Sequence, residues 1–145
     1  AEAANSGVDP ARLIFARPAA QEAHLARVGC ADLALDTLPY GAHTTGVDAL
    51  WAGVPMLTCR GDTFAGRVGA SVLLAAGLPE LVANTLDDYR ARLLALSADR
   101  TALRAHRAYL EASRDTNPLF DTAGFARDWE ALLLTICDDA ARAGA

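Results

Sequence analysis

Long apolar runs are missing from this 145-residue chain. None approaches the roughly 20 residues that a helix needs to span a bilayer. The opening residues, AEAANSGVDP, are polar and lack the hydrophobic segment of a signal peptide. Cysteine is scarce. Cys30, Cys59 and Cys137 form no close-spaced pair, which argues against a disulfide framework and predicts reduced, mostly buried thiols in a cytoplasmic protein. His24, His43 and His106 have no companions at metal-ligand spacing, so no structural metal is expected. A basic surplus is also absent. The 13 basic residues are outnumbered by 18 acidic ones, which argues against a broad nucleic-acid surface but leaves room for a local pocket. No Asp-x-Asp motif occurs, and there is no internal repeat or low-complexity stretch.

What is present is enough chain for one domain with a single core. Short apolar runs alternate with helical patterns. Arg12–Ala16 (RLIFA), Asp32–Asp36 (DLALD), Val54–Thr58 and Glu80–Ala83 read as strands. Gln21–Val28, Thr44–Ala52 and Phe64–Ala76 read as helices, ended by Gly29, Gly53 and Gly77, with Thr63 as an N-cap. From Leu86 the pattern is helical, with a second helix over Thr101–Ser113. It breaks at Asn117-Pro118 and resumes as a long helix over Thr122–Ala141. Strands alternating with helices predict an α/β fold, a Rossmann-like doubly wound parallel sheet that ends in a long helix.

Ligands of such sheets bind outside the C-terminal strand ends. The loops after Ala16 and after Asp36 both lie there. The second loop, Thr37–His43, runs into a helix that opens at Thr44-Thr45-Gly46. A helix start offers unpaired N–H groups and the positive end of the dipole, which suits phosphate. His43, Thr44 and Thr45 add side-chain donors, and Gly46 permits close backbone approach. Each has a plainer reading: His43 as a loop histidine, Thr44 or Thr45 as an ordinary N-cap, and Asp48 as the partner of Thr45 in a capping box. His24 and Arg27 share one helix face and could equally be surface residues.

The segments RLIFARPAAQEAHLARVGCADLALDT, HTTGVDALWAGVPMLT, GDTFAGRVGASVLLAAGLPELVA and NPLFD resemble, in order and spacing, the catalytic region of the O-linked N-acetylglucosamine transferases. The resemblance runs from Arg12 to about Trp129. It implies an inverting, metal-independent glycosyltransferase of the GT-B fold, with UDP-N-acetylglucosamine as donor and protein Ser/Thr hydroxyls as acceptors. Residues 1–145 would be one UDP-binding C-terminal lobe, shortened at its N-terminus and inactive alone. Residues 117–145 would be a break and a helix packing back on the missing part. Tetratricopeptide repeats, acceptor contacts and a phosphate-binding lysine would lie outside the chain. Neither nucleic acid nor membrane is an expected partner, and no cofactor is expected beyond the sugar donor.

The same resemblance assigns roles. His43, Thr44 and Thr45 would stabilise the leaving phosphate. Ala19 would meet uracil through its backbone, His24 would lie against the ring and Arg27 near its edge. Gln21 and Asp48 would bind ribose, and Gly46 would let the backbone approach. Two positions depart from the best-known members. Gln21 replaces a lysine, and Gly41-Ala42 replaces Asn-Gly or Asn-Ala. Both bear on the donor sugar more than on UDP. Two alternatives stay open: a related GT-B transferase using UDP-glucose or GDP-fucose, and a non-catalytic nucleotide-binding module. Trp51 and Trp129 read as packing residues, and the arginines from Arg90 to Arg107 as a solvated face. Gly66 to Gly69 is not a dinucleotide fingerprint, because it falls inside a helix.

Overall fold

The computed structural model describes residues 2–143. Three parallel strands form the sheet: β1 (Ala34–Leu35), β2 (Met56–Cys59) and β3 (Val82–Ala83), in the order β1-β2-β3. Ala34 and Leu35 pair with Met56 and Leu57, and Thr58 and Cys59 pair with Val82 and Ala83. All four residues of β2 are buried, as its uninterrupted MLTC run requires of a central strand covered on both faces.

The described residues also form seven helices: α1 (Glu2–Asn5), α2 (Gln21–Val28), α3 (Thr44–Trp51), α4 (Phe64–Ala75), α5 (Leu86–Ala98), α6 (Arg100–Ser113) and α7 (Thr122–Ala143), of which α3, α4 and α5 pack on the strands. Helices α3 and α4 are the crossovers of two successive βαβ units. Gly53 and Gly77 follow them at φ of 78° and 77°, a conformation that costs glycine little and reverses the chain toward the next strand. The core joins Leu50 of α3, Met56 of β2, Leu73 of α4, Leu78, Leu81 and Leu110 of α6. Asn117 is buried behind it, donating to the Ala76 carbonyl at 3.1 Å and accepting from Leu119 N–H at 3.0 Å. Asp99 ends α5 and caps α6 by accepting from Thr101 and Ala102 N–H.

Several expectations need correction. Arg12–Ala16 is not a buried strand. Pro10–Arg12 forms a 3-10 turn capped by Asp9, and Ile14 and Phe15 are 88% and 89% exposed. A strand needs a ladder partner, and among the described residues none pairs with this segment. The strand expected over Glu80–Ala83 shrinks to Val82–Ala83, because Pro79, which lacks an N–H, starts a 3-10 turn. Only one of the three cysteines, Cys59, is buried. Cys30 lies just past α2, a helix with no buried residue, and Cys137 sits on α7, which also has none. Trp51 is 41% exposed, its ring edge-on to Phe120 at 5.0 Å with the Arg114 guanidinium over it. The apolar residues of α7, from Phe125 to Ile136, are about half exposed.

Candidate functional site

At the C-terminal end of β1 the chain leaves the sheet through Asp36 and winds through residues 37–42 before α3 begins. A cleft of about 400 Å³ opens here, lined by Leu35, Asp36, Thr37, Tyr40, Gly41, Ala42, His43, Thr44 and Thr45. The loop is tied down from several sides. Thr37 Oγ1 donates to the Tyr40 carbonyl at 2.8 Å, and Gly41 N–H donates to the Ala65 carbonyl at 3.1 Å. Asp36 N–H donates to the Leu57 carbonyl at 3.0 Å, and the Tyr89 hydroxyl of α5 donates to the Asp36 carbonyl at 3.1 Å. Burial first, then the nearby Asp36 carboxylate and Cys59, raise the Tyr89 phenol above its ordinary range, so it stays a neutral donor.

Helix α3 starts with His43 at the N-cap position and no side-chain capping bond. This corrects the expected capping by Thr44 or Thr45. Both lie inside the first turn, exposed, where their backbone N–H groups have no intrahelical acceptor. The capping-box reading of Asp48 also fails, because the box is counted from the cap and the cap is two residues earlier than supposed. The half-buried Asp48 carboxylate has no hydrogen bond or ion pair among the described residues. Gly46 is buried against Met56 and Ala42, so its close approach is to the core rather than to the cleft.

The His43 ring stacks on Tyr40 at 5.1 Å and meets the edge of Phe64 at 6.2 Å. Its Nε2 is buried without a hydrogen-bond partner among the described residues. A buried polar atom left unpaired costs about 1–3 kcal/mol, so a ligand oxygen reaching this nitrogen relieves a penalty already present. Tyr40, 66% exposed, is the cover on that side.

Helix α2 packs against α3 and carries the second group. Arg27 Nη2 lies 3.0 Å from His24 Nδ1, and Arg27 Nη1 donates to the Arg17 carbonyl at 2.8 Å. A guanidinium has only donors, so His24 Nδ1 is the acceptor in this contact. The pair thus acts as a unit that also anchors the segment before α2. Of the expected site residues, His43, Thr44 and Thr45 share the cleft. Ala19, Gln21, His24, Arg27, Gly46 and Asp48 do not line it. Sequence reasoning passed over Asp36, Tyr40 and Phe64. An acidic residue closing the apolar LAL run, just before a loop with proline and glycine, was the available clue to Asp36.

Among the described residues no three His, Cys, Asp or Glu side chains gather where they could hold a metal, and no helix is long and apolar enough to cross a membrane.

The sequence model of glycosyl transferase family 41 matches residues 1–129. A UDP-N-acetylglucosamine–peptide N-acetylglucosaminyltransferase of Caenorhabditis elegans is 42% identical over 127 residues, which are 88% of this chain and 11% of that protein. The probable enzyme of the same name, SEC, from Arabidopsis thaliana is 41% identical over 88% of this chain and 13% of its own length. The chain therefore spans about an eighth or less of these relatives. The solved structure of a Thermobaculum terrenum O-GlcNAc transferase carrying K341M superposes with a TM-score of 0.79 at 35% identity. It covers 94% of this chain and 27% of that one.

Proposed function

The chain belongs to glycosyl transferase family 41, and we propose that it forms the UDP-binding part of a transferase carrying N-acetylglucosamine from UDP to protein Ser/Thr hydroxyls. The observation that carries this reading is the open first turn of α3 at a sheet edge, beside a buried histidine nitrogen without a partner among the described residues. Departure of UDP places negative charge on the β-phosphate. Preorganised donors aimed at that charge lower the barrier most where they need no rearrangement. The Thr44 and Thr45 N–H groups and hydroxyls, the helix dipole and His43 are such donors. In this reading those donors take the place of a metal at the leaving phosphate, and inversion at the sugar follows if the acceptor hydroxyl attacks from the face opposite the departing phosphate.

The uridine lies, in this reading, along α2. His24 and Arg27 face the base, the Ala19 backbone reads its edge, and Gln21 and Asp48 hold the ribose. The unpaired Asp48 carboxylate supports the last assignment, because it is available to ribose hydroxyls. Acceptor proteins, tetratricopeptide repeats and the remaining phosphate contacts belong to regions outside residues 1–145. Residues 117–143 pack on such a region through the apolar side of α7, and residues 144 and 145 of that expected segment lie outside the described residues. A cytoplasmic location fits a nucleotide-sugar donor and free thiols.

Equilibrium titration of the full-length protein with UDP, UDP-N-acetylglucosamine, UDP-glucose and GDP-fucose tests the reading. Binding of UDP and its N-acetylglucosamine conjugate in preference to the others is expected. Preference for another conjugate would reassign the donor, and binding of none would reduce the site to a relic.

A further inference from the structure

Asp36 is a buried carboxylate, 8% exposed, with no ion-pair partner among the described residues. An ionised group in such a place needs donors. It has three. Thr58 Oγ1 of β2 donates to Oδ2 at 2.6 Å. Thr37 N–H donates to Oδ1 at 2.8 Å and Ala42 N–H donates to the same oxygen at 2.5 Å. The last two bonds come from the two ends of the loop that leads to His43. One oxygen therefore clips a six-residue loop closed, while the other oxygen is bolted to the central strand.

Helix α4 is shaped around this clip. A Cβ on Gly69 would fall well inside van der Waals contact with Asp36 Oδ2 and 2.9 Å from Thr58 Oγ1. A Cβ on Gly41 would meet the same carboxylate at 3.2 Å, and one on Gly66 would meet the Pro39 carbonyl at 3.1 Å. Glycine in a helix interior costs about 1 kcal/mol relative to alanine, so Gly66 and Gly69 need a reason, and close approach to the loop supplies it. The clip ends one residue before the N-cap. It takes up the Thr37 and Ala42 N–H groups, and the donors left facing the cleft are those of the α3 start.

We propose that Asp36 is the positioning residue of the phosphate site: it does not touch the donor, but holds residues 37–42 so that His43 and the first turn of α3 stand preorganised. This rests on the reading of the cleft as the UDP site.

The test uses the full-length protein with Asp36→Ala, Asp36→Asn and Gly69→Ala. Asparagine keeps the clip, because its carbonyl can accept from both loop N–H groups while its amide donates to the Thr58 hydroxyl. A displacement of about 1 Å at a reacting centre costs on the order of 100-fold. Asp36→Ala and Gly69→Ala are therefore expected to raise the KM for UDP-sugar or lower kcat by about 10- to 100-fold, to leave the KM for acceptor peptide unchanged, and to speed hydrogen exchange over residues 37–46. Asp36→Asn is expected within about threefold of wild type on all three readouts, because it keeps the accepting oxygen. Gly69→Ala separates this from plain folding, since helix propensity alone predicts a gain in stability. If Asp36→Ala does not fold, Gly69→Ala and Asp36→Asn decide. Wild-type exchange and wild-type donor kinetics in Gly69→Ala would overturn the proposal. So would a thermal midpoint that falls while kcat and both KM values stay at those of wild type. If wild type takes no UDP, the nucleotide reading fails instead, and the exchange measurement still decides whether Asp36 holds the loop.

Discussion

Helices α3 and α4 begin at the same edge of the sheet, one after β1 and the other after β2, yet their first turns are finished differently. Thr63 Oγ1 accepts from Gly66 N–H at 3.1 Å and closes the start of α4. Thr85 does the same for α5, accepting from Asp88 N–H at 3.1 Å. At α3 the cap is His43, whose side chain makes no capping bond, and the two threonines that follow point their chemistry outward. Threonine is thus used twice as a cap and twice as an open donor within one sheet edge. The difference teaches that the residue type does not decide the role. What decides it is whether the threonine precedes the first helical residue or follows it.

The comparison is broken most sharply at His43. His43→Ala in the full-length protein is expected to lower turnover by about 100-fold or more, the usual loss when a preorganised donor to a developing oxyanion is removed. Unchanged turnover would end its assigned role. Next come the open threonines. Thr45→Ala is expected to weaken UDP binding by on the order of 10-fold, as for a lost bond to a charged group. Its unfolding midpoint should stay near wild type, because no cap is lost. The capped helix predicts the reverse. Thr63→Ala is expected to cost about 1 kcal/mol in denaturant unfolding with UDP affinity unmoved. If both substitutions shifted stability and affinity together, the distinction between open and closed helix starts would be wrong.

The smallest effect lies at the start of α5. The hydrogen bond from Arg92, 2.8 Å away, holds the Asp88 carboxyl below its ordinary range; burial opposes it, and the Arg92 charge and the Asn84 backbone add to it. Because the folded value is the lower one, the stabilising contribution is present above about pH 4, where the unfolded carboxyl is ionised, and is lost as pH falls through the folded value. Both side chains are about one-third exposed, so the difference in acid unfolding between wild type and Asp88→Asn should be small and should shrink further in salt.

Much of the fold was legible because its determinants are local. Gly53 and Gly77 ended their helices where expected, Thr63 capped α4, and Asn117-Pro118 broke the chain before α7. The segment from Arg12 to Ala16 was misread because an apolar run encodes the wish to be covered, not the presence of a cover. The site divided the same way. The His43-Thr44-Thr45 helix start was readable from type and order, and His24 with Arg27 from their spacing. Asp36 was not, because an aspartate at a strand end looks like any turn residue until its neighbours are known.

The sequence alone determined where most helices start and stop and where the central strand runs, since period, propensity and capping are properties of residues adjacent in the chain. Only the tertiary structure decided which threonines cap and which stand open, that Asp36 is buried, and that Gly69 leaves room for it. Those facts depend on Thr58, 22 residues further along, and on a helix beyond that, brought together by packing of the sheet rather than by anything written near Asp36.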